Sequence, residues 1–187
     1  MKTTLKHISS IQTGVFAKPN IDGNVVYLQA KHFSETGQLN SLLHPDLMSD
    51  AVSVKHLLNK GDVIFAAKGT KNFATVYNLD IPAVASTSFF VIRINENYKH
   101  SIIPEFLAWW MNQSFSQTFL KAQAIGTSIV SISKAILEEL EITIPVIHKQ
   151  ELILKINTLR NKEAALIKQL EILKEQQLQQ QIINAIK

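Results

Sequence analysis

The sequence contains no cysteine. This excludes disulfides, thiolate nucleophiles and cysteine-ligated zinc, and it fits a reducing, cytoplasmic setting. No run of about 18 apolar residues occurs, so no membrane span is expected. Met1-Lys2-Thr3-Thr4 leads into no long apolar stretch, so no signal peptide is expected either. Arginine is scarce, with Arg93 and Arg160 set against 17 lysines. Glycine and proline are both absent from Ile147 to Lys187. Motifs for catalysis are missing too. The chain has no GxSxG, GxxxxGK[ST] or GxGxxG. Its six histidines, His7, His32, His44, His56, His100 and His148, form no HxH or HxxxH pair. No catalytic residue, metal site or cofactor site emerges from these patterns.

What is present is apolar substance. Residues of the hydrophobic class make up 46% of 187 positions, enough for the core of one compact domain plus an appendage. Net charge is +4, and it is unevenly spread. Residues 1–146 carry 12 Lys and Arg against 11 Asp and Glu, whereas residues 147–187 carry 7 against 4.

The first stretch mixes periods. Val25–Leu28, Asp62–Ala67, Thr75–Tyr77 and Ser88–Ile94 are short runs rich in Val, Ile, Phe and Tyr, bounded by Gly, Asn, Asp or Pro; they read as strands. Then the spacing turns helical. Phe106, Leu107, Trp110, Met111, Phe115 and Phe119 predict one apolar helix from about Pro104 to Ala122, with the tryptophans in the core. A short helix over Lys134–Leu140 and a strand over Glu141–Ile144 follow. The expected fold class is α+β, with a mixed or antiparallel sheet in a domain spanning 1–146.

Residues 147–187 differ in kind. Without Gly or Pro, they predict a helix of about 60 Å. Leu152, Ile156, Leu159, Leu166, Leu170 and Leu173 follow a heptad seam, with Glu163 at the skipped position. The seam shifts beyond Leu173 to Leu178, Ile182 and Ile186. An isolated amphipathic helix gains little in water unless its seam is covered, so a partner helix is implied. A helix folded back on its own domain is the alternative.

Three polar tips interrupt the domain. The richest is Lys68-Gly69-Thr70-Lys71-Asn72, at the end of the Asp62 strand. The others are Gln29-Ala30-Lys31-His32 and Gln123–Ser128. Lysine is a point charge suited to phosphate, and arginine is the usual bidentate reader of guanine. Were these tips to meet DNA, Lys31, Lys68 and Lys71 would hold phosphates. His32, Thr70, Asn72 and Thr127 would read or position bases, and Gly69 would allow close backbone approach. The plain alternative is a set of solvated turns. Asp62 and Lys68 on one strand are the nearest approach to a nuclease constellation, but the second carboxylate is missing.

Three segments also carry a family resemblance: Lys60-Gly61-Asp62-Val63-Ile64 with its Lys68-Gly69-Thr70 tip; Gly126-Thr127-Ser128 through Ile132-Ser133 and Leu137-Glu138-Glu139-Leu140; and Ile142-Thr143-Ile144-Pro145 with Gln150 and the Leu-rich helix. In these the chain resembles one half of the specificity (S) subunit of type I restriction-modification systems. Lys68 stands where the family usually has arginine, and His148-Lys149-Gln150 keeps the glutamine but loses a proline and a glutamate. The resemblance implies a non-catalytic, half-length subunit with one target-recognition domain (1–146) and one spacer helix (147–187). It implies double-stranded DNA, methyltransferase and restriction subunits as partners. It also implies a homodimer through the helix that reads a split, inverted-repeat site. Two other readings stay open: a coiled-coil adaptor or inhibitor, and a small metal-dependent nuclease.

Overall fold

The computed structural model describes residues 1–19, 22–69, 72–123 and 131–186. The chain divides into two compact units, Met1–Gln150 and Glu151–Lys187.

The first unit opens with β1 (Lys2–Thr4), a single helical turn α1 (Leu5–Ile8), β2 (Ser9–Thr13) and β3 (Val26–Leu28). It continues with β4 (Val63–Ala66), β5 (Ala74–Val76), β6 (Ala83–Ala85) and β7 (Phe89–Ile94). Helices α2 (Pro104–Met111), α3 (Ser114–Ala122) and α4 (Lys134–Glu138) precede β8 (Glu141–Thr143). The first turn of α5 (Ile147–Ile186) closes the unit.

The main sheet runs β2-β7-β4-β5 and is antiparallel throughout. Its two central strands are buried on both faces, which is why they read as continuous apolar runs. The two-residue strand period sorts their side chains between two cores. Val63, Phe65, Phe90 and Ile92 face a core with Leu5, Ile8, Leu107 and Met111. Ile64, Ala66, Phe89 and Val91 face the other, with residues of β3 and β6. There Phe33, Phe73 and Phe89 pack at centroid distances of 5.4, 5.7 and 6.1 Å. β3 and β6 form a parallel pair, and β1 and β8 an antiparallel one.

The helix expected over Pro104–Ala122 is two helices. Asn112 breaks it. Its side-chain Oδ1 accepts from the Ala74 N–H at 2.8 Å, and its Nδ2 donates to the Ala74 carbonyl at 2.8 Å. One amide thereby supplies an extra rung to the outer edge of β5, and Gln113 leaves helical geometry with ψ at 150°. Apolar spacing runs straight across this break and gives no sign of it. Phe115, on the far side, is 52% exposed instead of joining the core. Trp109 and Trp110 are half-buried, and the Trp110 indole donates to the Glu141 carbonyl at 3.1 Å.

Gln150 is the one fully buried amide side chain among the described residues. Its Oε1 accepts from the Ile103 N–H at 3.0 Å. Its Nε2 donates to the carbonyls of Ser101 at 2.7 Å and Pro145 at 2.8 Å. It thus ties the approach to α2 to the exit from β8, within the first unit.

The second unit is the remainder of α5, a helix of 40 residues in all. At about 1.5 Å per residue it is roughly 60 Å long. The glutamine-rich stretch 176–181 is helical within it. The seam residues Leu152, Ile156, Leu159, Leu166, Leu170, Leu173, Leu178 and Ile182 are all 46–64% exposed. Ile167 and Ile172 add apolar surface outside that seam. Among the described residues, no helix is long and apolar enough to cross a membrane.

Candidate nucleic-acid interface

The strand directions decide where the polar tips go. β2 and β4 both run antiparallel to β7, so their C-terminal ends meet the start of β7. β3 and β6 run parallel and finish together, with the Ser86 N–H donating to the Leu28 carbonyl at 2.8 Å. Four connections therefore lie along one edge: the segment after β2 from Gly14, Gln29–His32 after β3, the loop from Ala67 after β4, and Ser86–Ser88 before β7. Backbone hydrogen bonds stitch them to one another. Val15 donates to Ala85 at 2.8 Å, Ala67 to Ser88 at 2.9 Å, and Ile132 to Ala67 at 2.9 Å. Two tips separated by about 40 positions in sequence, one at Lys31-His32 and one at Lys68-Gly69, share this edge.

Lys31 and Lys68 are exposed, and neither has a salt-bridge partner among the described residues. Several other lysines of the unit are engaged, Lys2 with Glu141, Lys6 with Glu139, Lys60 with Asp80, Lys99 with Glu96 and Lys134 with Glu138. Gly69 has φ +102°, and an added Cβ would meet nothing within 4 Å. Backbone conformation, not crowding, demands glycine there.

His32 is held in place. Its Nδ1 accepts from the Gln29 N–H at 3.2 Å, and its own N–H donates to the Gln29 carbonyl at 3.0 Å. Burial, then the Lys31 charge, lowers its pKa below the usual histidine value, against a weaker opposing pull from Asp46. The neutral ring carries its proton on Nε2, which offers one donor from a fixed position. Asn72 is half-buried, and its Nδ2 donates to the Ala66 carbonyl at 3.1 Å. That amide nitrogen latches the base of its own loop. Thr70, Lys71 and Thr127 lie outside the described residues.

Asp62 sits at the opposite end of β4 and is 2% exposed. Arg93 clasps it through Nε to Oδ1 at 2.8 Å and Nη2 to Oδ2 at 2.6 Å. The Asn59 N–H adds a third bond at 2.8 Å. The Asp62 hydrogen bond raises the Arg93 pKa further. This carboxylate is a structural anchor for β7 and the 59–62 turn, and the only arginine of the unit is committed to it.

Sequence reasoning missed the segment after β2 and the Ser86–Ser88 turn. Their one signal was Gly14: a Cβ there would lie 2.1 Å from the Ser86 carbonyl oxygen.

Fold and edge together define a class: a mixed helix-and-sheet domain that presents loops along one edge and is followed by a long helix. The family model for the type I restriction modification DNA specificity domain matches residues 49–182, and the chain belongs to that family. Three solved structures share the fold. The type I restriction-modification S subunit from M. genitalium aligns with TM-score 0.59 and 16% identity, over 87% of this chain and 39% of that one. The HsdS subunit from Thermoanaerobacter tengcongensis gives 0.61 and 16%, over 89% and 38%. A chain from a study of complex assembly and conformational transition of the type I R-M system gives 0.67 and 17%, over 96% and 43%. This chain spans less than half the length of each. No curated protein matches it.

Proposed function

We propose that this chain reads DNA for a type I restriction-modification assembly and does no chemistry itself. The observation that carries the reading is the loop edge. Strand topology gathers Lys31, His32, Lys68 and Gly69 from distant sequence positions, and the two lysines are free of carboxylates. Lys31, Lys68 and Lys71 contact phosphates. His32, Thr70 and Thr127 contact bases, and Asn72 holds its loop in position. Residues 1–146 act as the target-recognition domain and 147–187 as a spacer.

The exposed seam of α5 supports the second half of the proposal. Two copies pair through antiparallel helices, present two edges, and read a split, inverted-repeat site. The assembly also holds methyltransferase and restriction subunits, in keeping with a relative studied for R-M complex assembly.

The test uses the full chain with its methyltransferase subunit. Footprinting should reveal a bipartite sequence. Lys68→Ala should weaken all sequences alike and reduce the salt slope of binding by about 1. No sequence preference at all would favour a coiled-coil adaptor, and an unchanged slope would remove Lys68 from the phosphate contacts.

A further inference from the structure

Phe16 is 78% exposed, more than any other aromatic side chain among the described residues. A single exposed apolar residue is ordinary, so exposure alone proves nothing. The backbone that carries this one is not ordinary. Gly14 donates to the Phe89 carbonyl at 3.0 Å and lies too close to Ser86 for any side chain. The buried Tyr27 hydroxyl donates to the Val15 carbonyl at 2.9 Å and accepts from the Ala17 N–H at 3.4 Å. The residues on both sides of Phe16 are thus fastened to one core tyrosine, and the ring stands in solvent on a fixed support. These backbone contacts fix where the Phe16 side chain leaves the chain, and none of them covers the ring.

The support belongs to the loop edge. Val15 bridges Ser86, whose N–H bonds Leu28, and Gln29–His32 follow immediately. Lys18, two positions beyond Phe16, is exposed and has no salt-bridge partner among the described residues. A hydrophobic ring therefore shares one loop edge with exposed lysines and a histidine. The edge has no arginine to fork onto guanine; Arg93, the one arginine of the unit, pairs with Asp62 at the opposite end of β4. Thymine is the base whose major-groove edge carries an apolar group, its 5-methyl, and phenylalanine is a residue that contacts it.

We infer that Phe16 is a specificity-determining residue that packs against a thymine 5-methyl group in the major groove. The inference rests on the DNA-reading function proposed above. The test takes the full chain with its methyltransferase subunit and the DNA site mapped from methylated positions. Each thymine of the site is replaced in turn by deoxyuridine, which removes only the methyl. At one position the unsubstituted chain should lose roughly four-fold in affinity, the effect of one buried methyl. Phe16→Ala should lose roughly ten-fold on the intact site and be indifferent to that deoxyuridine, with its salt slope unchanged. Phe16→Leu should retain part of the discrimination.

Three results would overturn the inference. Phe16→Ala could keep full sensitivity to every deoxyuridine. It could bind the intact site as well as the parent chain does. It could instead lose methyltransferase binding without DNA, which would make Phe16 a subunit contact. If Lys68→Ala weakens DNA binding while Phe16→Ala changes nothing, the DNA-reading function stands and Phe16 has no part in it. If the parent complex shows no sequence preference, the function itself fails.

Discussion

The two units of this chain treat apolar surface in opposite ways. In Met1–Gln150 the two central strands of the sheet are buried on both faces, and the buried Asp62 and Gln150 are each held by three hydrogen bonds. In Glu151–Lys187 the leucines and isoleucines of the seam are 46–64% exposed. The first unit has the interior of a self-sufficient domain. The second exposes an apolar seam along its length. An isolated helix of this length is marginal in water, and most helix stability in proteins comes from packing one face. The difference supports the proposal that the domain carries its own core while the helix gains stability when its seam is covered. Mutations can break that contrast at either end.

The largest effect is expected at Asp62. Asp62→Ala leaves the Arg93 guanidinium partly buried without its carboxylate and frees the Asn59 N–H. Removing one member of such a pair costs about 3–5 kcal/mol. Both tryptophans, Trp109 and Trp110, lie in α2, so their fluorescence during urea unfolding reports the first unit alone. A shift below about 1 kcal/mol would mean that water already screens the pair.

Gln150→Ala should cost about 1–3 kcal/mol in the same assay, because it removes the partner of one half-buried N–H and two carbonyls. Gln150→Glu is the sharper variant. It keeps the acceptor for Ile103 but loses the two donated bonds, so it should fall well short of full stability at neutral pH. Equal stability for Glu and Gln would place the whole contribution on the Ile103 contact.

Leu166→Lys probes the other side of the comparison. Tryptophan-detected stability of the first unit should stay within about 0.5 kcal/mol, the range of ordinary surface changes. The helical circular-dichroism signal and the mass by light scattering should lose their dependence on concentration. A parent chain that is monomeric across the micromolar range would end the paired-helix proposal outright.

What the sequence disclosed follows the same division. β4 and β7 were legible because a doubly buried strand is a continuous apolar run, and α5 because nothing in it breaks a helix. β1 and β2 were not foreseen. Their pairing is with β8 and β7, far away in the sequence, and Lys2-Thr3-Thr4 shows no local strand pattern. β6 is Ala-Val-Ala, too short to register. The Asn112 break depends on a contact 38 positions away. The loop edge was half-legible. Gly69 and its lysine announced one tip, but only the parallel β3–β6 pairing brings Lys31 and His32 beside it. Phe16 had no signal at all, since its meaning lies in the Tyr27 hydroxyl that holds its neighbours.

The smallest predicted effect concerns His32. Burial lowers its pKa in the folded state below the unfolded value of about 6.5. A depressed folded pKa means that the unfolded chain binds the proton more readily. The stability contributed by the neutral ring is therefore fully present above about pH 6.5 and is lost as pH falls through the folded pKa. Protonation also removes the Nδ1 lone pair that accepts from Gln29, so the 30–32 turn should loosen with it. The ring is only partly buried, which limits the effect on unfolding; the loss should show first in DNA recognition. Sequence-specific binding should weaken between pH 6.5 and 5.5, beyond the change seen with His32→Gln, which presents an uncharged side chain at every pH in that range. Protonation adds a cation and should by itself strengthen non-specific phosphate binding, so specific and non-specific affinities should diverge. If both rise together on acidification, His32 acts as a mere charge on the edge, and its fixed Nε2 donor carries no base recognition.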